Sequence, residues 1–95
     1  MTLTILVNMD HHLEEADLNT EPAWMMREID LPFLPIIGMT MELAINEGSF
    51  ILFDVESVFW SEKPARIEIR VHCILEECKP MSADFDSRWT KVAEL

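Results

Sequence analysis

"RIEIRVHCIL" (residues 66–75) is the stretch on which the fold turns. Ile67, Ile69, Val71, Cys73 and Leu75 share one parity, while Arg66, Glu68, Arg70 and His72 share the other. A β-strand sends successive side chains to opposite faces, so this segment reads as a strand with one dry and one wet face. One buried and one solvated face is the antiparallel pattern. The same period of two recurs upstream. In "TLTILVNM" (2–9), Leu3, Ile5, Val7 and Met9 alternate with Thr2, Thr4 and Asn8. In "MTMELAI" (39–45), Met39, Met41, Leu43 and Ile45 alternate with Thr40, Glu42 and Ala44. "WMMREIDL" (24–31) is a further candidate strand.

"SFILFDVESVFW" (49–60) is longer and apolar on both parities. Ile51, Phe53, Val55 and Phe59 fall on one, and Phe50, Leu52, Val58 and Trp60 on the other. A β-bulge near Asp54–Ser57 would bend the strand and let its two ends serve different faces. Barrels turn their corners this way. Pro32 and Pro35 keep "PFLP" out of a central strand, so it is an edge, a corner or a loop. Asn46–Glu47–Gly48 reads as a hairpin turn with Gly48 at positive φ, and Glu62–Lys63–Pro64 as the next turn. Residues 39–77 therefore form a meander. After Cys78 the pattern changes. Ser82 is a helix N-cap candidate, Asp84 and Asp86 suit a first turn, and Lys91 suits a last one. Phe85, Trp89 and Val92 recur at i, i+4 and i+7, which predicts a helix over 82–94 with one apolar face. Such a helix would close a barrel mouth or cover an open edge.

The expected fold is mainly β and a single domain over residues 1–95. It is a small five-stranded antiparallel barrel or roll, with an acidic connector at 10–22 and the short C-terminal helix. The order strand, "PIIG", strand, "NEG" turn, bulged strand, "KPA" turn, strand resembles that of small SH3-like barrels over roughly residues 28–77. These barrels host unrelated functions, so the resemblance implies a fold and no site.

Charge narrows the partners. The 95 residues carry 18 acids against 7 Lys and Arg, for a formal charge of −11. A phosphate backbone and an anionic membrane surface would both be repelled. A protein partner, particularly a basic one, is compatible, and so is a homodimer. No apolar run spans a bilayer, and no basic segment followed by an apolar stretch opens the chain, so a cytoplasmic setting is expected. Cys73 and Cys78 fit that expectation. In an extended segment their Cα atoms would lie about 16 Å apart, against less than about 7 Å for a disulfide.

Few residues offer chemistry. "NMDHHLEEADLNTEP" (8–22) crowds His11 and His12 among Asp10, Glu14, Glu15 and Asp17. His11 and Glu15 would share a helix face, as would Asp10 and Glu14. The stretch lacks the His-Glu-x-x-His order of a zinc site. It reads as a solvated connector carrying up to one helical turn, with His11, His12 and Glu15 as weak metal candidates. No nucleophile elbow is present, and with only Gly38 and Gly48 in the chain no phosphate-cradling loop can form. Asp54 and Glu56 share a strand face and are the one carboxylate pair to weigh for acid–base work.

The leading expectation is a non-catalytic protein-interaction module of bacterial or phage style, requiring no cofactor. Its interface candidates are Phe33, Leu34, Ile36, Ile37 and Trp60, an apolar patch in an acidic field. Two alternatives stand beside it. One is an acidic DNA mimic that occupies a basic nucleic-acid-binding protein through Glu42, Glu47, Asp54, Glu56, Glu62 and Glu68. The other is a metal-binding enzyme using the His, Asp and Glu residues of 10–17.

Overall fold

The computed structural model describes residues 2–9, 23–62, 65–74 and 80–93. Six strands form one curled sheet, a half-barrel: β1 (Thr2–Asn8), β2 (Trp24–Asp30), β3 (Thr40–Asn46), β4 (Ser49–Glu62), β5 (Ala65–Cys73) and β6 (Thr90–Val92). Their spatial order is β3-β4-β5-β1-β2-β6. The four longer segments with alternating or bulged patterns are strands as expected, and so is "WMMREID". The meander β3–β4–β5 is antiparallel throughout.

Two expectations are corrected. The sheet has six strands rather than five, and it is mixed. β1 runs antiparallel to β2 but parallel to β5, with Ile5 opposite Ile69 and Val7 opposite Val71. The all-antiparallel SH3-like roll is therefore not the arrangement found. The reason lies in β1 itself. Leu3, Thr4, Ile5, Leu6 and Val7 are all buried. A strand buried on both faces belongs in the middle of a sheet, where parallel pairing is at home. β2 and β3 lie on opposite flanks, so residues 31–39 must cross the curl before the meander returns to β1.

The helix over 82–94 is also corrected. Among the described residues Ser82–Asp84 form a single 3-10 turn, and the chain then extends into β6. Asp side chains do the breaking, because they offer the backbone alternatives to helical bonds. Asp84 Oδ2 accepts from the Met81 N–H at 2.7 Å, and Asp86 Oδ1 accepts from the Arg88 N–H at 3.0 Å. Phe85 and Trp89 still reach the core, with ring centroids 5.1 Å apart and nearly perpendicular planes.

This segment closes the curl. β6 pairs with β2 on one flank. On the other, the Asp86 N–H donates to Ile45 O at 2.8 Å and Trp89 Nε1 donates to Ala44 O at 3.2 Å. Asn46 Nδ2 adds a bond to Asp84 O at 2.8 Å. The edge of β3 is thus covered over Ala44–Asn46, as an edge must be to avoid stray pairing. Arg27 sets its guanidinium over the Trp89 ring, 5.7 Å from the centroid.

The bulge falls where the sequence placed it. The β4–β5 register shifts between Val55 and Ser57, leaving Glu56 as the extra residue. Before it, Phe53 and Val55 face the core, and after it Val58 does. Phe59 changes face, pairing with Glu68 on the opposite side of the sheet. No helix among the described residues is long and apolar enough to cross a membrane.

Candidate functional site

Register brings the start of β1, the end of β2, the end of β4 and the start of β5 to one end of the sheet. Thr2 lies opposite Asp30, Thr4 opposite Glu68 and Trp60 opposite Ile67. The crossing segment leaves from that end. Leu31 and Met39 pack partly against the core, and Pro35 between them is fully buried. Pro32 and Pro35 each fix φ, which stiffens the crossing. Its far side is a tight turn. Met39 N–H donates to Ile36 O at 3.0 Å, and Gly38 N–H donates to Val55 O at 3.0 Å. Gly38 sits at φ +90°, where a residue bearing a Cβ is strained.

A backbone pinned at Pro35 and Gly38 leaves its other side chains facing outward. Phe33 is 45% exposed, Leu34 43%, Ile36 64% and Ile37 67%, and Trp60 at the same end of the sheet is 64% exposed. Trp60 shares the inward face of Ile67. It is nevertheless open because the β3 ladder stops at Thr40–Asp54 and never reaches it.

The acidic candidates do not converge. Glu42 is exposed on β3 and Glu47 in the following turn. Asp54 accepts the Thr40 hydroxyl at 3.1 Å. Glu56, on the bulge, places Oε1 2.9 Å from His72 Nδ1, an ion-pair distance without straight hydrogen-bond geometry. Glu62 is exposed at the end of β4. Glu68, by contrast, is only 5% exposed and binds Arg66 at 3.2 Å. Its neighbours on that face of β5 are Arg66, Arg70 and His72, so the carboxylates are interrupted by cations. Asp54 and Glu56 thus meet different partners, Thr40 and His72.

The outward face of the central strands holds a cluster that alternation alone did not reveal. Leu6, opposite Met26 and Arg70, is fully buried there. The Arg70 guanidinium lies 4.7 Å from the Phe59 ring centroid and 5.3 Å from that of Trp24. The arginine stem and two rings form a second apolar layer capped by charge. Phe50, Leu52 and Ile74 make a smaller exposed apolar group on the same face, joined by Ile74 N–H donating to Leu52 O at 3.3 Å. Its signal was in the sequence: two large apolar residues on the parity of Asp54.

His11, His12 and Glu15, and the connector 10–22 generally, lie outside the described residues, as does Cys78. No group of three or more His, Cys, Asp or Glu side chains suited to a metal occurs among the described residues. No family model, curated protein or solved structure matches this chain.

Proposed function

We propose that the chain is a small non-catalytic interaction module that docks a protein partner through Phe33, Leu34, Ile36, Ile37 and Trp60. One observation carries the reading: Phe33, Leu34, Ile36 and Ile37 stay open along the crossing segment, as Trp60 does on β4, while Pro35 in that segment is fully buried. A soluble chain that fixes its backbone to hold such residues outward invites a partner there. The −11 charge sets the partner's sign. A basic rim around an apolar centre would be drawn in, whereas a second copy would bring two strongly negative surfaces together. A cytoplasmic setting belongs to the same reading. The DNA-mimic alternative has less behind it, because Glu68 is buried and Arg66, Arg70 and His72 break the row of carboxylates.

The test is affinity capture from the native host with the wild-type chain and with Phe33→Asp, at low and at high salt. The expected partner is retained by wild type through high salt and lost by the variant. A partner held equally by both chains, or one released by salt alone, would sink the reading.

A further inference from the structure

The β4 strand is paired on both sides only as far as its bulge. β5 accompanies it from Phe53 to Glu62, but β3 ends opposite Asp54, with one further bridge between Met39 and Val55. Ser57–Glu62 is therefore an edge, and no backbone partner meets its open side among the described residues. The stretch has no proline and carries only one charge, at its last residue. It has none of the devices that blunt natural edges except the bulge above it.

The direction of its hydrogen-bonding groups can be read from Val55. That residue faces the core, donates its N–H to Met39 O at 2.9 Å and accepts from Gly38 N–H at 3.0 Å, so both groups point to the β3 side. Facing and hydrogen-bonding direction are coupled along a strand. Past the bulge the inward-facing residues are Val58, opposite Ile69, and Trp60, opposite Ile67. Their N–H and C=O groups consequently point to the same side, which no described strand occupies there.

We propose that the partner binds as an extended segment, adding a strand beside Ser57–Glu62. This rests on the interaction reading above and names the mode and chemistry of the occupant. Main-chain bonds to Val58 and Trp60 would supply affinity, and alternating side chains would supply selectivity. The occupant's inward-facing side chains would meet Trp60 and the crossing turn, so they are apolar. Exposed Glu56 lies on the outward side beside His72, and the whole chain carries −11, so the occupant's remaining side chains are basic.

The experiment titrates the full-length, 15N-labelled chain with a short peptide of alternating valine and lysine, using alternating valine and glutamate as control. Binding by the lysine peptide is expected, with slowed hydrogen exchange at the Val58 and Trp60 amides. Trp60→Pro, which deletes an edge N–H that folding does not use, should weaken binding about fivefold or more beyond Trp60→Ala. Perturbation confined to residues 33–37, without protection at Val58 and Trp60, overturns strand addition while leaving the docking surface standing. Equal binding of both peptides, or none, overturns the proposed occupant. Protection of the same amides that grows with chain concentration in the absence of peptide overturns it too, in favour of a second copy.

Discussion

Two glycines divide the work that the sequence assigned to one. The expectation put positive φ at Gly48, in the β3–β4 turn. The only positive φ among the described glycines belongs to Gly38, while the Gly48 N–H is held by Asn46 Oδ1 at 2.9 Å. Added methyl groups separate the two cases. At Gly38 nothing lies within 4 Å of a new Cβ, so Gly38→Ala is penalised by backbone conformation alone. It should destabilise by about 1–2 kcal/mol. Gly48→Ala meets only Asn46 Oδ1 at 3.8 Å and should stay within about 0.5 kcal/mol of wild type. Urea midpoints of both variants check the contrast, and equal losses would place the strained turn at the wrong glycine. Asp86 carries a pH dependence. Arg88 donates to both its oxygens at 3.0–3.1 Å through Nε, holding the carboxyl below its usual value. Its stabilisation is present above the ordinary aspartate pKa of about 4 and is lost as pH falls through the lowered one. Asp86→Asn should flatten that part of the acid limb of a stability–pH curve.

At the scale of elements, the bulge and the C-terminal segment show what local pattern can and cannot convey. The bulge was legible because residues 49–60 are apolar on both parities, and only an inserted residue lets both halves face a core. Inserting one alanine between Ser57 and Val58 should turn Val58 and Trp60 outward while Phe59 turns in. A one-residue slip changes the face of every following side chain. The insertion should therefore abolish cooperative unfolding, whereas Glu56→Ala should cost less than about 1 kcal/mol; circular dichroism during urea titration distinguishes them. The C-terminal helix was misread because spacing of four also suits two rings that meet across a turn. Phe85 and Trp89 are buried in the core without a helix, and Asp84 and Asp86 spend their carboxylates on turn N–H groups rather than on a helix start. Trp89→Ala should cost about 3–5 kcal/mol. It removes buried surface and also the Nε1 bond that helps cover the β3 edge. Trp89→Phe keeps most of the volume and should self-associate more than wild type if that bond guards the edge, which sedimentation would show.

Over the whole molecule, a period of two identifies strands but is silent about their neighbours. The parallel β1–β5 pair escaped the reading for that reason, although the near-continuous apolar run "LTILV" carried the mark of a central strand. The exposed patch at 33–37 was legible because prolines exclude that segment from the sheet; the open edge of β4 was not, since it depends on where β3 stops. Net charge, in contrast, is a property of the whole chain and leads to a further expected outcome. The described residues span 34 × 27 × 24 Å, and the full chain carries −11. The Debye length is about 30 Å at 0.01 M salt and about 10 Å at 0.1 M. At the lower value the acids on opposite sides still repel one another, and at the higher they largely do not. Among the described residues Arg66–Glu68 and Arg88–Asp86 each pair one acid with one base. Unfolding spreads the charges and relaxes their repulsion, so screening should favour the folded chain. Raising sodium chloride from 0.01 to 0.1 M should increase unfolding free energy by on the order of 1 kcal/mol at pH 7. Chloride is the appropriate anion, because sulfate would strengthen apolar burial as well. A response that is flat or falling would mean that short-range pairs, not the summed acidic field, dominate the surface, and the argument for a basic partner would lose its electrostatic footing.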